Sequence, residues 1–203
     1  TAGAYLVLGV LGDVAGAVTQ NLDASVNVAN LTGSTANTVS VVATGLGTNT
    51  IPVLQAFTAD NSASGDATFT LATSGALDVA GDLTTKPKAT FASDVSLTTG
   101  VGGFSLATGI TVDAGSGTIL VNAGGGPVQL NDGTVTTTNG TGSAVKIVNT
   151  TTLALGNVTA ASGTLVLGTS TAGESIGGAT TQTAATVLDV GTLVAYSSSS
   201  MSL

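Results

Sequence analysis

Hydrophobic and polar positions alternate along this chain in very short segments. A pattern of apolar, any, apolar, any, any, glycine recurs at residues 95–100, 104–109, 110–115, 119–124 and 128–133. In each copy the two apolar side chains share one face of a short strand, because successive side chains of a strand point to opposite faces. The glycine and the Asn, Asp or Thr residues before it favour a sharp bend. Each copy therefore predicts a strand followed by a bend.

Looser copies of the pattern extend it over most of the chain and fall into three columns. The first column starts at residues 69, 95, 119, 145, 165 and 188. The second column starts at residues 77, 104, 128 and 153, and the third at Leu83, Ile110, Val135 and Val158. Three strand-and-bend units thus make one period of roughly two dozen residues, a length typical of solenoid repeats.

This period predicts an all-β fold, a three-sided parallel β-solenoid with about 24–26 residues per coil. Hydrogen-bonded coils would be about 4.8 Å apart, and inward side chains such as Val95, Ile119 and Val145 would stack into an aliphatic column. The alternative is an antiparallel β-sandwich, whose strands also recur at short intervals. It is less favoured because these strands are shorter than usual and few hairpin turns are present, with Asp132-Gly133 as the exception.

The regular pattern predicts a solenoid over residues 66–195 and a flexible tail over residues 196–203. Residues 1–65 are less regular, and Pro52 interrupts the pattern there, as expected for an edge or a bulge. This region is interpreted as irregular coils, a cap, an assembly segment or a small separate β module. Its apolar run, residues 4–12, is too short to span a bilayer and is followed by Asp13. We interpret this run as core strands, an end cap or a contact with another subunit.

Composition supports the β assignment and narrows the function. Only 7% of residues are charged and 3% aromatic, whereas 42% are hydrophobic, so the chain has enough aliphatic residues for a core. The formal net charge is −8, with three lysines and no arginine. Binding to nucleic acid depends on clustered Lys and Arg, so a nucleic-acid partner is not expected.

The residues that carry most catalytic chemistry are missing. The chain has no histidine and no cysteine, which excludes imidazole and thiolate chemistry and disulfides. Asp residues recur at predicted bends, where they have a structural reason to lie, and the ones considered as paired carboxylates are Asp78, Asp82, Asp94, Asp113 and Asp132. We therefore expect no enzyme activity and no catalytic, cofactor or metal residues.

Calcium remains the one candidate ligand among metals, because oxygen-rich corners such as Asn131-Asp132-Gly133 suit it. The repeated Gly-Gly-x-Gly-x-Asp motif of calcium-binding β-rolls is absent. The glycine run at residues 124–126 lacks the Lys-Ser/Thr ending of a phosphate-binding loop.

Two further patterns are consistent with a surface role but do not define one. Thr-x-Thr pairs start at residues 136, 150 and 181, and an aligned rank of them would suggest an ice-binding face, although they fall at different places in the columns. Glycosylation sequons begin at Asn139, Asn149 and Asn157, as chance allows in a chain this rich in Asn and Thr.

Residues 110–170, including GTILVNAGGGPVQLNDGTVTTTNG and VKIVNTTTLALGNVTAASGTLVLGTS, resemble the repeats of filamentous-haemagglutinin-type adhesins and of β-strand-repeat bacterial surface proteins. The resemblance implies a right-handed parallel β-helix on the bacterial surface or outside the cell. It also implies a role in adhesion or in an extracellular layer or fibre. Open solenoid ends favour end-to-end stacking, so we expect a structural subunit or segment of a fibre, S-layer or matrix that self-assembles. The alternative is an adhesin that binds a surface or glycan ligand through its solenoid face, and a polysaccharide-active enzyme is a remote third reading.

Overall fold

The computed structural model describes residues 3–9, 14–183 and 185–203, which form strands and bends without a helix. In chain order the strands are β1 (Tyr5–Leu8), β2 (Val18–Thr19), β3 (Asn30–Thr35), β4 (Val39–Val41), β5 (Val53–Asn61), β6 (Phe69–Ala72), β7 (Leu77–Val79), β8 (Leu83–Pro87), β9 (Val95–Thr98), β10 (Phe104–Leu106), β11 (Thr111–Asp113), β12 (Ile119–Gln129), β13 (Thr134–Thr136), β14 (Val145–Leu155), β15 (Asn157–Leu167), β16 (Thr180–Gln182), β17 (Leu188–Ala195) and β18 (Met201–Ser202). Every pairing between them is parallel, and the chain forms a β-solenoid of about eight turns. The antiparallel sandwich is therefore wrong.

The pairings form three ladders that run from coil to coil. Ladder 1 joins Val18, Val39, Phe69, Val95, Ile119, Val145, Leu165 and Leu193. Ladder 2 joins Tyr5, Asn30, Val53, Asp78, Ser105, Gln129, Ala154, Thr181 and Ser202. Ladder 3 joins Gly33, Phe57, Leu83, Val112, Val135, Val158 and Leu188. The longest strands contribute residues to two ladders because they continue through a bend.

The register confirms most of the predicted columns and corrects two members. Val95 lies directly beside Ile119, which lies beside Val145, as the spacing predicts. Ile110 was assigned to the third column, but Val112 is the residue that pairs with the neighbouring coils there. Leu188 was assigned to the first column, but it pairs with Val158 in ladder 3, and Leu193 takes the position beside Leu165. The right-handed sense of the coil and its three-sided outline stay predictions.

The core is the stack of inward side chains from all three ladders. Its largest members without exposed surface include Phe57, Phe69, Leu71, Leu83 and Leu97. The rings of Phe57 and Phe69 are in tilted contact, with 4.9 Å between centroids. Outward neighbours are small and polar, so the apolar side chains are buried inside the solenoid, against the other ladders and against the coils on either side.

Polar side chains are buried at the corners of the coils, where they form hydrogen bonds with backbone groups of the bends. The Asn49 side chain donates to the carbonyl oxygen of Ala72, accepts from the Val26 amide and exchanges hydrogen bonds with Gln20. It thereby joins three coils. Thr85 is buried and donates to the carbonyl oxygen of Ser93 at 2.6 Å.

Strands on both sides of residue 65 pair with one another, as Val39 does with Phe69 and Phe57 with Leu83. At the C-terminal end, Met201 pairs with Thr180, although residues 196–203 were expected to be a flexible tail. The division of the chain at residues 65 and 195 stays a prediction.

Candidate interaction surfaces

The acidic side chains hold neighbouring coils together. Five Asp or Asn side chains accept a hydrogen bond from the backbone N–H of a residue about one coil later, namely Asp23 from Leu46, Asp66 from Ala92, Asp82 from Thr111, Asp94 from Thr118 and Asn157 from Val187. Carboxylate acceptors make stronger hydrogen bonds than neutral ones. Of these residues the sequence analysis placed Asp82 and Asp94 at bends, but it did not reveal that their side chains reach the next coil.

The remaining Asp residues considered above lie at three separate places, Asp78 in β7, Asp113 in β11 and Asp132 in the bend between β12 and β13. Asp78 accepts from the Ser105 hydroxyl at 2.7 Å, and Asp113 accepts from the Gly115 amide two residues later. Asp132 is exposed and follows Asn131, whose φ of 46° is the left-handed conformation of a turn. Within residues 3–9, 14–183 and 185–203, no group of three or more Asp or Glu side chains could hold a metal ion.

The glycine run at residues 124–126 lets two coils approach backbone to backbone. Gly124 has a φ of 58°, and a Cβ there would be 2.2 Å from the carbonyl oxygen of Thr99. At Gly126 a Cβ would be 2.3 Å from the backbone nitrogen of Gly103. Only a residue without a side chain fits this corner.

The Thr-x-Thr pairs and the sequons are dispersed over the solenoid. Thr136 belongs to β13, Thr150 and Thr152 to β14, and Thr181 to β16, so these pairs do not stack on one another. The amide of Asn139 donates to the carbonyl oxygen of Ser116. The Asn149 side-chain amide donates to the side-chain oxygen of Asn122, and the side-chain oxygen of Asn157 accepts from the Val187 amide.

The first coil exposes one edge and several apolar side chains. β1 pairs with β3 and β2 pairs with β4, and neither has a second strand partner among the described residues. Tyr5 and Val7 are 58% and 50% exposed. The apolar run predicted from residues 4–12 thus lies partly on this edge, although residues 10–12 lie outside the described part of the chain.

The last coil exposes a matching edge at the other end. β17 pairs with β15 and β18 pairs with β16, again without a second partner in the described chain. Its exposed apolar side chains are Leu193, Val194, Tyr196, Met201 and Leu203. Residues 190–203 contain no charged side chain, so this edge is apolar and hydroxyl-rich.

Two carboxylates have pKa values below their ordinary range. Hydrogen bonds from the side chain of Lys146, at 2.8 Å, and from Thr169 lower the pKa of Glu174. Hydrogen bonds from the Ser62 side chain and backbone, helped by the charge of Lys86, lower the pKa of Asp60. Glu174 thereby ties the bend at residues 169–175 to β14.

Acidification should release this bend before it affects the core. A carboxylate whose folded pKa is lowered contributes stability that is present above its unfolded pKa and is lost as pH falls through the folded value. We therefore expect amide hydrogen exchange at residues 169–175 to accelerate relative to the core as pH falls below the ordinary Glu value of 4.5. The variant Glu174→Gln should show this faster exchange already at neutral pH. Equal relative exchange in both proteins at every pH would contradict the role assigned to Glu174.

No helix in the described chain is long and apolar enough to cross a membrane. Comparison with known proteins returns no match to any protein-family model, curated protein or solved structure. The chain is therefore assigned by its own geometry, as a parallel β-solenoid with the repeat organisation of β-helix proteins.

Proposed function

We propose that this chain is a non-enzymatic extracellular structural protein of bacterial type, a subunit or segment of a surface fibre, S-layer or matrix. The observation that carries the proposal is the all-parallel stack of coils, in which the first and last described coils each pair with a neighbour on one side. Unpaired strand edges are templates for pairing with another chain, and natural proteins usually protect them with charges, prolines or covering segments. Here both edges carry exposed apolar side chains instead.

The partner proposed for these edges is a second copy of the chain, stacked end to end. Extending ladder 1 brings Leu193 of one copy beside Val18 of the next, and Val194 beside Thr19. Extending ladder 2 brings Ser202 beside Tyr5. In ladder 1 this places the apolar side chains of Leu193 and Val18 beside each other in the inward row. A contact between two different ends of the same molecule generates an open filament when successive copies stack along one axis, because this arrangement does not close into a ring.

Two features of the outer surface suit a protein that persists outside the cell. Its outward strand residues are mostly Ser, Thr, Ala and Asn, which leave closely stacked faces. Trypsin-like proteases cleave after Lys or Arg, and the chain has three Lys and no Arg. Lys86 and Lys146 lie within strands, and Lys146 is in an ion pair.

The test of assembly is a charge placed at the end of the solenoid. The purified chain should form filaments above a critical concentration, as measured by sedimentation and electron microscopy. The variant Leu193→Lys should raise that critical concentration at least tenfold, because burying an unpaired charge between two copies is unfavourable. Val101→Lys is the matched control, since Val101 is also exposed but lies on a bend between β9 and β10. A wild-type chain that stays monomeric at all concentrations would refute the proposal.

A pair of introduced cysteines tests the contact between two copies, and this test does not require the Leu193→Lys variant to fold. The chain has no cysteine, and Thr19 and Val194 are seven pairings apart, about 34 Å at about 4.8 Å per pairing. A disulfide in Thr19→Cys/Val194→Cys must therefore link two copies. We expect oxidised ladders of dimers, trimers and longer species, whereas Thr19→Cys/Thr181→Cys should give few, since Thr181 belongs to ladder 2. Equal cross-linking of both pairs would refute the proposed register.

An adhesin that binds a ligand through the solenoid face is the second candidate. The observation that favours it is a groove on the outer side of ladder 2, lined in part by Asp78, Ser105 and Gln129. Such a protein functions as a stable monomer, so the sedimentation experiment separates the two candidates.

A further inference from the structure

A shallow groove of about 170 Å³ spans four successive coils on the outer side of ladder 2. Pro52 and Pro127 lie along its length, and Ala76, Gly102 and Gly103 form part of its lining. One row of polar side chains borders it. This row consists of Asp78, Ser105 and Gln129, which are direct neighbours in the ladder.

The groove exists because side chains are missing where the coils bend. A Cβ on Gly102 would be 2.6 Å from the backbone nitrogen of Ala76, and a Cβ on Gly103 would be 2.1 Å from the carbonyl oxygen of Pro127. The coils therefore pack backbone to backbone at this point. The floor is low and rigid, while the proline rings provide small apolar surfaces.

The polar row has unused hydrogen-bonding capacity. Oδ1 of Asp78 accepts from the Ser105 hydroxyl at 2.7 Å, and Oδ2 has no partner among the described residues. The Gln129 side chain is exposed and likewise has no partner there. An ionised carboxylate only accepts hydrogen bonds, a hydroxyl can also accept, and an amide both donates and accepts. Neighbouring coils are about 4.8 Å apart, so these groups present a fixed row of donors and acceptors.

We propose that this groove binds one unit of a neutral saccharide. The hydroxyl groups of a sugar both donate and accept, which matches the carboxylate, hydroxyl and amide of the row. The carbon-bound hydrogens of the ring match the proline surfaces. The volume is below the about 300–1,000 Å³ of drug-sized ligand sites, so one small ring fits better than a cofactor.

Charge and ligand number disfavour other small ligands. Among the described residues that line the groove, Asp78 alone is charged, so it repels acidic sugars and phosphates. A single carboxylate provides too few oxygen ligands for calcium, which takes about six to eight. The inference does not depend on end-to-end assembly, because the groove lies on the side of the solenoid between β5 and β12.

The test is an NMR titration of the isotope-labelled chain with glucose, galactose, mannose and N-acetylglucosamine, with glucuronate as the acidic comparison. We expect saturable shifts at Gly103, Ser105 and Gln129 for at least one neutral sugar. For a ligand of this size, about 1–10 mM is the expected range of dissociation constants. Asp78→Ala should weaken binding at least tenfold and Gln129→Ala about threefold or more.

Thr181→Ala is the matched control, because Thr181 belongs to the same outward rank two coils beyond Gln129 and should leave binding unchanged. Gln129 is exposed, so its variant keeps the test valid if Asp78→Ala fails to fold. The proposal is overturned if no neutral sugar gives saturable shifts up to its solubility limit, or if both variants bind as tightly as the wild type. Glucuronate binding better than every neutral sugar would also overturn it.

Discussion

Replacing Phe69 by alanine should lower the free energy of unfolding by about 3–5 kcal/mol, the usual cost of removing a fully buried aromatic side chain. Phe69 has no exposed surface, lies between Val39 and Val95 in ladder 1, and contacts the ring of Phe57. Because neighbouring coils are held by their own pairings, they cannot collapse fully into the space that the substitution leaves. The loss is measurable as a lower midpoint in denaturant unfolding.

The adjacent residue supplies the control for this experiment. Thr70 follows Phe69 on the same strand but points to the other face. Thr70→Ala should change stability by no more than about 0.5 kcal/mol. If the two variants unfold at the same denaturant concentration, the inward stack does not stabilise the solenoid as described.

Replacing Gly103 by alanine should be still more damaging, by about 4 kcal/mol or more, because two costs combine there. Gly103 has a φ of 83°, which an L-residue adopts only with strain. The added Cβ would also be 2.1 Å from the carbonyl oxygen of Pro127. Backbone on a paired coil cannot move away without breaking the ladder.

The variant Gly109→Ala separates the cost of the left-handed conformation from the cost of close backbone approach. It has a similar φ of 76°, yet a Cβ there would meet nothing within 4 Å. Gly109→Ala should therefore cost only the strain of the left-handed conformation, about 1–2 kcal/mol. Circular dichroism and denaturant unfolding of both variants measure the difference, and equal losses would show that close backbone approach is unimportant at this corner.

The sequence was sufficient to predict the parallel coils, because regular spacing of apolar pairs places residues such as Phe69, Val95 and Ile119 beside one another. It was insufficient where bends differ in length. Ile110 and Val112 are both apolar and two residues apart, so the pattern could not show which of them aligns with Leu83. Leu188 was misassigned because the long bend at residues 169–175 lengthens its coil. Leu188 follows Leu165 by 23 residues, which resembles a normal period, but the residue that pairs with Leu165 is Leu193.

The candidate surfaces were predictable only in part. The apolar run at residues 4–12 was interpreted as core strands, an end cap or a subunit contact, and the structure exposes Tyr5 and Val7 of this run on an edge. The opposite edge was not singled out, because β17 falls within the predicted solenoid, residues 66–195, and the residues after it were interpreted as a flexible tail. Nothing in the local sequence indicated the groove, since Asp78, Ser105 and Gln129 become neighbours only through pairing of coils.

Because each coil contacts only the coils before and after it, whole coils can be added to the sequence or removed from it while the other coils keep their contacts. Residues 95–118 correspond to one turn, since Ile119 occupies the ladder position of Val95 one coil later. Their removal would bring Phe69 beside Ile119, an equivalent aliphatic neighbour, and their duplication would insert one more such neighbour. A gene that encodes this architecture can therefore gain or lose turns by recombination between repeats without redesigning the interior.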